Sequence, residues 1–199
     1  MNAPHPLGQG ALAALEVRER RSRRAAVAAR LLASGADGIS AIDWEMLDNA
    51  PAWLGLPEAK LATLQRQVGA LLYAPEIRLW IDGARLGAAR AALGEAFLQA
   101  LMSQRDLLAF PQDGAPRPRI DSAEKVATHL QLVGAALLLA SLPQGALRRA
   151  VTTAMAPTAA APVAFELAQS LVARAQTLAS QGTVSPLAGA PNVVSRSGE

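Results

Sequence analysis

The side chains that most often carry chemistry are scarce in this chain. It has two histidines, His5 and His129, and no cysteine. A helical zinc-hydrolase motif needs two imidazoles four residues apart on one helix face, and these two are far apart in sequence. His129 lies in an apolar helical stretch and is expected to sit at the edge of the core with its N–H satisfied. None of Ser103, Ser122, Ser141 or Ser170 stands in a GxSxG-like turn that would present a nucleophile to a base. Leu7-Gly8-Gln9-Gly10 follows no strand, and no GKS or GKT is present, so no phosphate cradle is expected. Carboxylates gather at Asp43, Glu45 and Asp48, and again at Asp121 and Glu124, in positions that read as solvated helix ends. The expectation is therefore no catalytic residue, no metal ligand, no bound cofactor and no enzyme activity.

Arginine is the one charged type that clusters. Arg18, Arg20, Arg21, Arg23 and Arg24 crowd into seven residues, yet helical spacing spreads them all round the wheel rather than along one face. Glu16/Arg20 and Glu19/Arg23 are spaced i,i+4, so a solvated helix with internal ion pairs is expected. The run VRERRSRRAAVAARLLASGADGIS (17–40) is similar to the first helix and turn of a TetR-like transcriptional regulator, which makes duplex DNA the alternative partner. A recognition helix should then follow, with basic and polar residues reaching bases and phosphates. Residues 41–54 instead carry Asp43, Glu45 and Asp48 with no Lys or Arg, which would repel the phosphate backbone. No nucleic-acid partner is expected.

The elements that would hold such residues are helical throughout. With 51% hydrophobic and 18% charged residues, the chain can bury a core and is not disordered as a whole. Its length suits one domain. The net charge is +3, so the sequence pI of about 10.2 reflects arginine outnumbering lysine and says little about partners. The longest apolar run, Leu130–Leu142, is interrupted by Gln131 and Ser141, and its length of about thirteen residues falls short of the ~18 a membrane span needs. With no signal-peptide pattern and no cysteine, a cytoplasmic protein is expected.

Taken in order, residues 1–10 read as a flexible Pro/Gly lead. A helix runs from Ala11 to Ala33 and ends at the glycines of Ser34–Gly38. Ser40 is expected to cap a short helix through Leu47. Leu61, Leu64, Val68, Leu71 and Leu72 form the stripe of a helix that starts at Pro57. Pro75 restarts a shorter helix carrying Ile77, Trp80 and Ile81, closed by Asp82-Gly83. Ala84–Leu93 is helical, Gly94 is a break or a close contact, and Phe97, Leu101 and Leu108 continue the pattern to Phe110. Residues 111–120 hold three prolines and read as a loop.

Asp121 and Glu124 resemble a capping box. The helix from Ser122 to Ala140 is apolar over most of its circumference and should lie in the middle. Another helix runs from Pro143 to about Met155, PTAAAP (157–162) is a hinge, and Ala164–Gln181 a last amphipathic helix. The expected architecture is an all-α, single-domain bundle of about seven or eight helices. It comprises a flexible lead (1–10), a helical core (11–156), a C-terminal helix after the hinge (157–181) and a disordered tail (182–199).

The middle also carries a resemblance. WLGLP (53–57), GALLYAPEIRLWIDG (69–83), RLGAARAALGEAFLQALM (85–102) and IDSAEKVATHLQLVGAALLLASLP (120–143) together resemble the SctK (YscK/PscK) family, the accessory proteins of the type III secretion sorting platform. The likeness spans Trp53 to Pro143. It implies a virulence-associated, non-enzymatic adaptor in protein transport, cytoplasmic and peripheral at the inner-membrane base of the injectisome. Such an adaptor links the inner-membrane ring protein SctD to the pod protein SctQ, with SctL as a further platform component, and does not itself enter the membrane. The polar face of the central helices, Arg78, Asp82, Arg85, Arg90 and Glu95, is the expected partner-binding rim. Trp53 and Trp80 are expected to anchor the core.

Overall fold

The computed structural model describes residues 7–35, 41–104, 118–155 and 163–182, and every regular element among them is helical. In chain order these are α1 (Leu7–Ala33), α2 (Trp44–Asp48), a 3-10 turn (Ala52–Gly55), α3 (Glu58–Leu72), α4 (Ala74–Ile77), α5 (Gly83–Leu93), α6 (Glu95–Ser103), α7 (Ala123–Ala140), α8 (Ala146–Met155) and α9 (Phe165–Gly182). Among the described residues there are nine α-helices, against the expected total of about seven or eight. One reason is Gly94, whose φ of +83° ends α5 and starts α6, so the glycine is a break and not a packing contact.

α7 lies in the middle, as its all-round apolarity requires, packed against α3, α5, α8 and α9. Its deepest partner is α3, and glycine is the reason the two come so close. A Cβ on Gly69 would stand 2.1 Å from the Leu130 carbonyl oxygen, and one on Gly134 would stand 1.7 Å from that of Gln65. Numbers rise along one helix as they fall along the other, so the pair is antiparallel, with each glycine seated on the opposing backbone. Leu71, Leu130, Leu137 and Leu138 close the core around the crossing, all fully buried.

α9 packs on α3, α6 and α7 through Ala168, Leu171, Ala175 and Leu178, within the same core. Trp53 and Trp80 are buried core anchors, at 2% and 6% exposure. Trp44 is exposed instead, under the Arg24 guanidinium.

Several local expectations shift. α1 begins at Leu7, inside the stretch read as a flexible lead. It makes neither the Glu16/Arg20 nor the Glu19/Arg23 pair. Arg24 instead grips Asp48 at the end of α2, its Nε 2.7 Å from one carboxylate oxygen. Arg30 donates to the Leu54 and Leu56 carbonyls and so pins α1 to the 3-10 turn.

The capping box at Asp121 and Glu124 does not form, because α7 starts at Ala123, one residue later than a cap at Asp121 requires. Ser122 holds the cap position without a side-chain cap bond, and Asp121 pairs with Lys125 at 3.2 Å. Asp43 caps α2 by accepting the Met46 N–H at 2.8 Å. Ser40, Leu108 and Phe110, the lead at 1–6, most of the 111–120 loop, the 157–162 hinge and the tail from 183 onward lie outside the described residues.

Candidate functional site

The five charged residues expected to form one rim fall into two groups. Arg78 follows α4 and donates through Nη2 to the Leu101 carbonyl at 2.8 Å, tying α4 to the last turn of α6. Asp82 caps α5, accepting the Ala84 N–H at 2.9 Å and the Arg85 Nε at 3.2 Å. The Ala84 N–H, and then Arg85, hold the Asp82 carboxyl below the ordinary aspartate range.

Arg85 also donates to the Ile120 carbonyl at 3.2 Å and stands 5.3 Å from the centre of the Trp80 ring. Arg90 and Glu95 form the second group, an ion pair that closes the α5–α6 corner across Gly94. Arg85 and Arg90 lie five residues apart on α5, about 140° round its axis. They do not share a face.

Between Arg78 and Asp82 lies a feature that periodicity missed. α4 ends at Ile77, and the next residues run out of the helix. Trp80 turns inward while Leu79 and Ile81 stand out at 79% and 97% exposure. Ile81 therefore does not share the inward face of Ile77 and Trp80. The sequence pattern puts all three in one short helix, but α4 ends at Ile77 and in non-helical backbone neighbours alternate. The signal was present as three consecutive bulky apolar residues, Leu79-Trp80-Ile81, just before the Asp82-Gly83 turn. The indole Nε1 of Trp80 is buried and finds no acceptor among the described residues.

The segment entering α7 is held beside this patch by three side chains. Tyr73 donates its hydroxyl proton to the Pro118 carbonyl at 3.0 Å, and Glu76 accepts the Ile120 N–H at 3.1 Å. Arg85 supplies the third bond. Because the Tyr73 proton is committed to Pro118, His129 Nε2, 2.7 Å from the same hydroxyl, must be the donor in that contact. The His129 imidazole meets the phenol ring edge-on, at the core edge as expected. Burial pushes its pKa down, with Glu76 opposing weakly.

Concave surface lies elsewhere. A groove of about 490 Å³ runs between α2 and the turn from α7 into α8. It continues into a second hollow of about 300 Å³, sharing Pro51, Ser141 and Gln169. Asp43 and Glu45 stand at its edge, and among the described residues no Lys, Arg or His lines it. A further pocket of about 400 Å³ between α1, α3, α7 and α8 contains Arg30, Glu58, Gln65 and Gln131. Its arginine is already committed to two carbonyls.

Among the described residues no group of three His, Asp or Glu side chains gathers to ligate a metal, and no helix is long and apolar enough to cross a membrane. Comparison with protein-family models, with curated proteins and with solved structures gives no match.

Proposed function

We propose that the chain is a non-enzymatic helical adaptor of a type III secretion sorting platform, cytoplasmic and peripheral at the base of the injectisome. It joins an SctD-like inner-membrane ring protein to an SctQ-like pod protein, with an SctL-like protein as a further neighbour. The observation that carries this reading is the pair Leu79 and Ile81, bulky apolar side chains left almost fully in water at the edge of a well-packed core. They lie within a segment that resembles the SctK family. Apolar side chains ringed by charge suit a protein interface, where the centre is desolvated and the rim stays polar. Asp82 and Arg85 supply that rim, and the bonds they already make fix their geometry before a partner arrives. The Arg90–Glu95 pair is a corner staple outside the contact.

Co-purification of the chain with SctQ-like and SctD-like proteins tests the reading. Ile81→Asp removes an apolar contact worth roughly 1.5–3 kcal/mol when buried. It should therefore weaken binding of one of the two partners at least about tenfold. Because Ile81 is exposed, the thermal midpoint should stay unchanged. Binding of both partners unaltered by Ile81→Asp and by Leu79→Asp would sink the proposal.

A further inference from the structure

Among the described residues nothing covers the first part of α1. Residues 11–22 are exposed on every side, over roughly 18 Å of helix. Leu12 and Leu15 stand at 63% and 55% exposure. The arm extends a helix already nucleated on the body from Arg24 onward, yet the described residues of that body leave its apolar side chains in water. Leu15 and Arg18 lie about 120° or more round the axis from Val27 and Leu31, the residues that seat α1 on the core, while Leu12 lies between the two sets. Leu12, Leu15 and Arg18 do fall together, within about 120° of one another, as an apolar stripe ending in a cation. Arg18 and its neighbour Arg21 make no ion pair among the described residues.

The groove between α2 and the α7–α8 turn has the complementary character. Met46, Pro143 and Leu147 give it apolar walls, Asp43 and Glu45 make its edge acidic, and no cation among the described residues lines it. Asp43 is engaged by the Met46 N–H, whereas the Glu45 carboxylate is exposed and makes no ion pair among the described residues. The arm leaves the body where Arg24 grips Asp48, on the same short helix that carries Glu45. Arm and groove thus share an edge of the molecule, so two copies can each place their arm in the other's groove about a two-fold axis, which closes at two.

We propose that the chain forms a reciprocal dimer in which Leu12, Leu15 and Arg18 of one copy occupy the groove edged by Asp43 and Glu45 of the other. This stands independently of the adaptor reading and uses a different surface.

Sedimentation of the full chain at tens of micromolar tests it. A dimer is expected at about 50 mM salt, loosening near 1 M, where screening shortens to about 3 Å. Arg18→Glu/Arg21→Glu reverses the arm and Glu45→Arg reverses the groove edge, and each variant alone should be monomeric with unchanged helicity. Mixed one to one, the two variants have matched charges at both contacts and should dimerise again. Rescue of that kind cannot come from a folding defect.

A monomeric wild-type chain at low salt would overturn the proposal. So would reversal variants that remain dimeric, or a mixture that fails to associate. Retardation of a DNA duplex by the wild-type arm with no change in oligomeric state would also overturn it, in favour of a polyanionic partner.

Discussion

His129 has little room to change its charge. Burial depresses its pKa below the ordinary histidine value, so the folded chain prefers the neutral ring. The unfolded chain then binds the extra proton first as pH falls, and stability drops from about pH 6.5 downward until the folded pKa is passed. The contribution is present above that range and lost below it. Thermal midpoints at pH 7.5 and 5.5 should differ for the wild type, and His129→Gln should narrow the difference. The Arg24–Asp48 pair is the other residue-scale test. With both side chains about a third exposed, Arg24→Ala should cost no more than about 1 kcal/mol in urea unfolding. His129 was legible as a core-edge residue because its neighbours are apolar. Its donor role was not, since Tyr73 and Pro118 are 56 and 11 residues away and no local pattern joins them.

At the scale of elements the crossing of α3 and α7 decides most. Gly69→Ala or Gly134→Ala would drive a methyl into the opposing backbone, so either should destabilise by about 3 kcal/mol although alanine is the better helix former. A chevron or urea titration of each variant, with Gly87→Ala as the control, separates the two effects. Gly87 has open space where the methyl would go, so that change should be neutral or stabilising. Helix positions were largely written in the apolar spacing, as the stripe from Leu61 to Leu72 and the all-round apolarity of α7 illustrate. Caps were less legible, since Asp121 and Glu124 have the right spacing but fall one residue outside the cap. The exposure of Ile81 was hidden for a related reason. Where a four-residue helix stops cannot be told from periodicity when the following residues are apolar too.

Across the whole molecule, protection should be graded. Amide exchange should be slowest in α3 and α7, which lie at the centre, and fast over residues 11–22, whose helix is unsupported in a single copy. Exchange of the arm should slow with rising concentration if the reciprocal dimer forms. The all-α architecture followed from composition and spacing, whereas the surfaces did not. Exposure of Leu79, and the pairing of arm with groove, depend on how separate helices are arranged in space, and sequence order alone does not hold that information.

The glycine crossing also bears on mechanical load. One turn to either side of Gly69 stand Gln65 and Tyr73, and one turn to either side of Gly134 stand Leu130 and Leu138. Sliding α3 along α7 by a single turn would force one of these side chains into the slot that only a hydrogen fills. Tension between the two ends of the bundle would therefore meet a latch whose stops are backbone atoms. Such a spindle should yield by breaking, not by creeping.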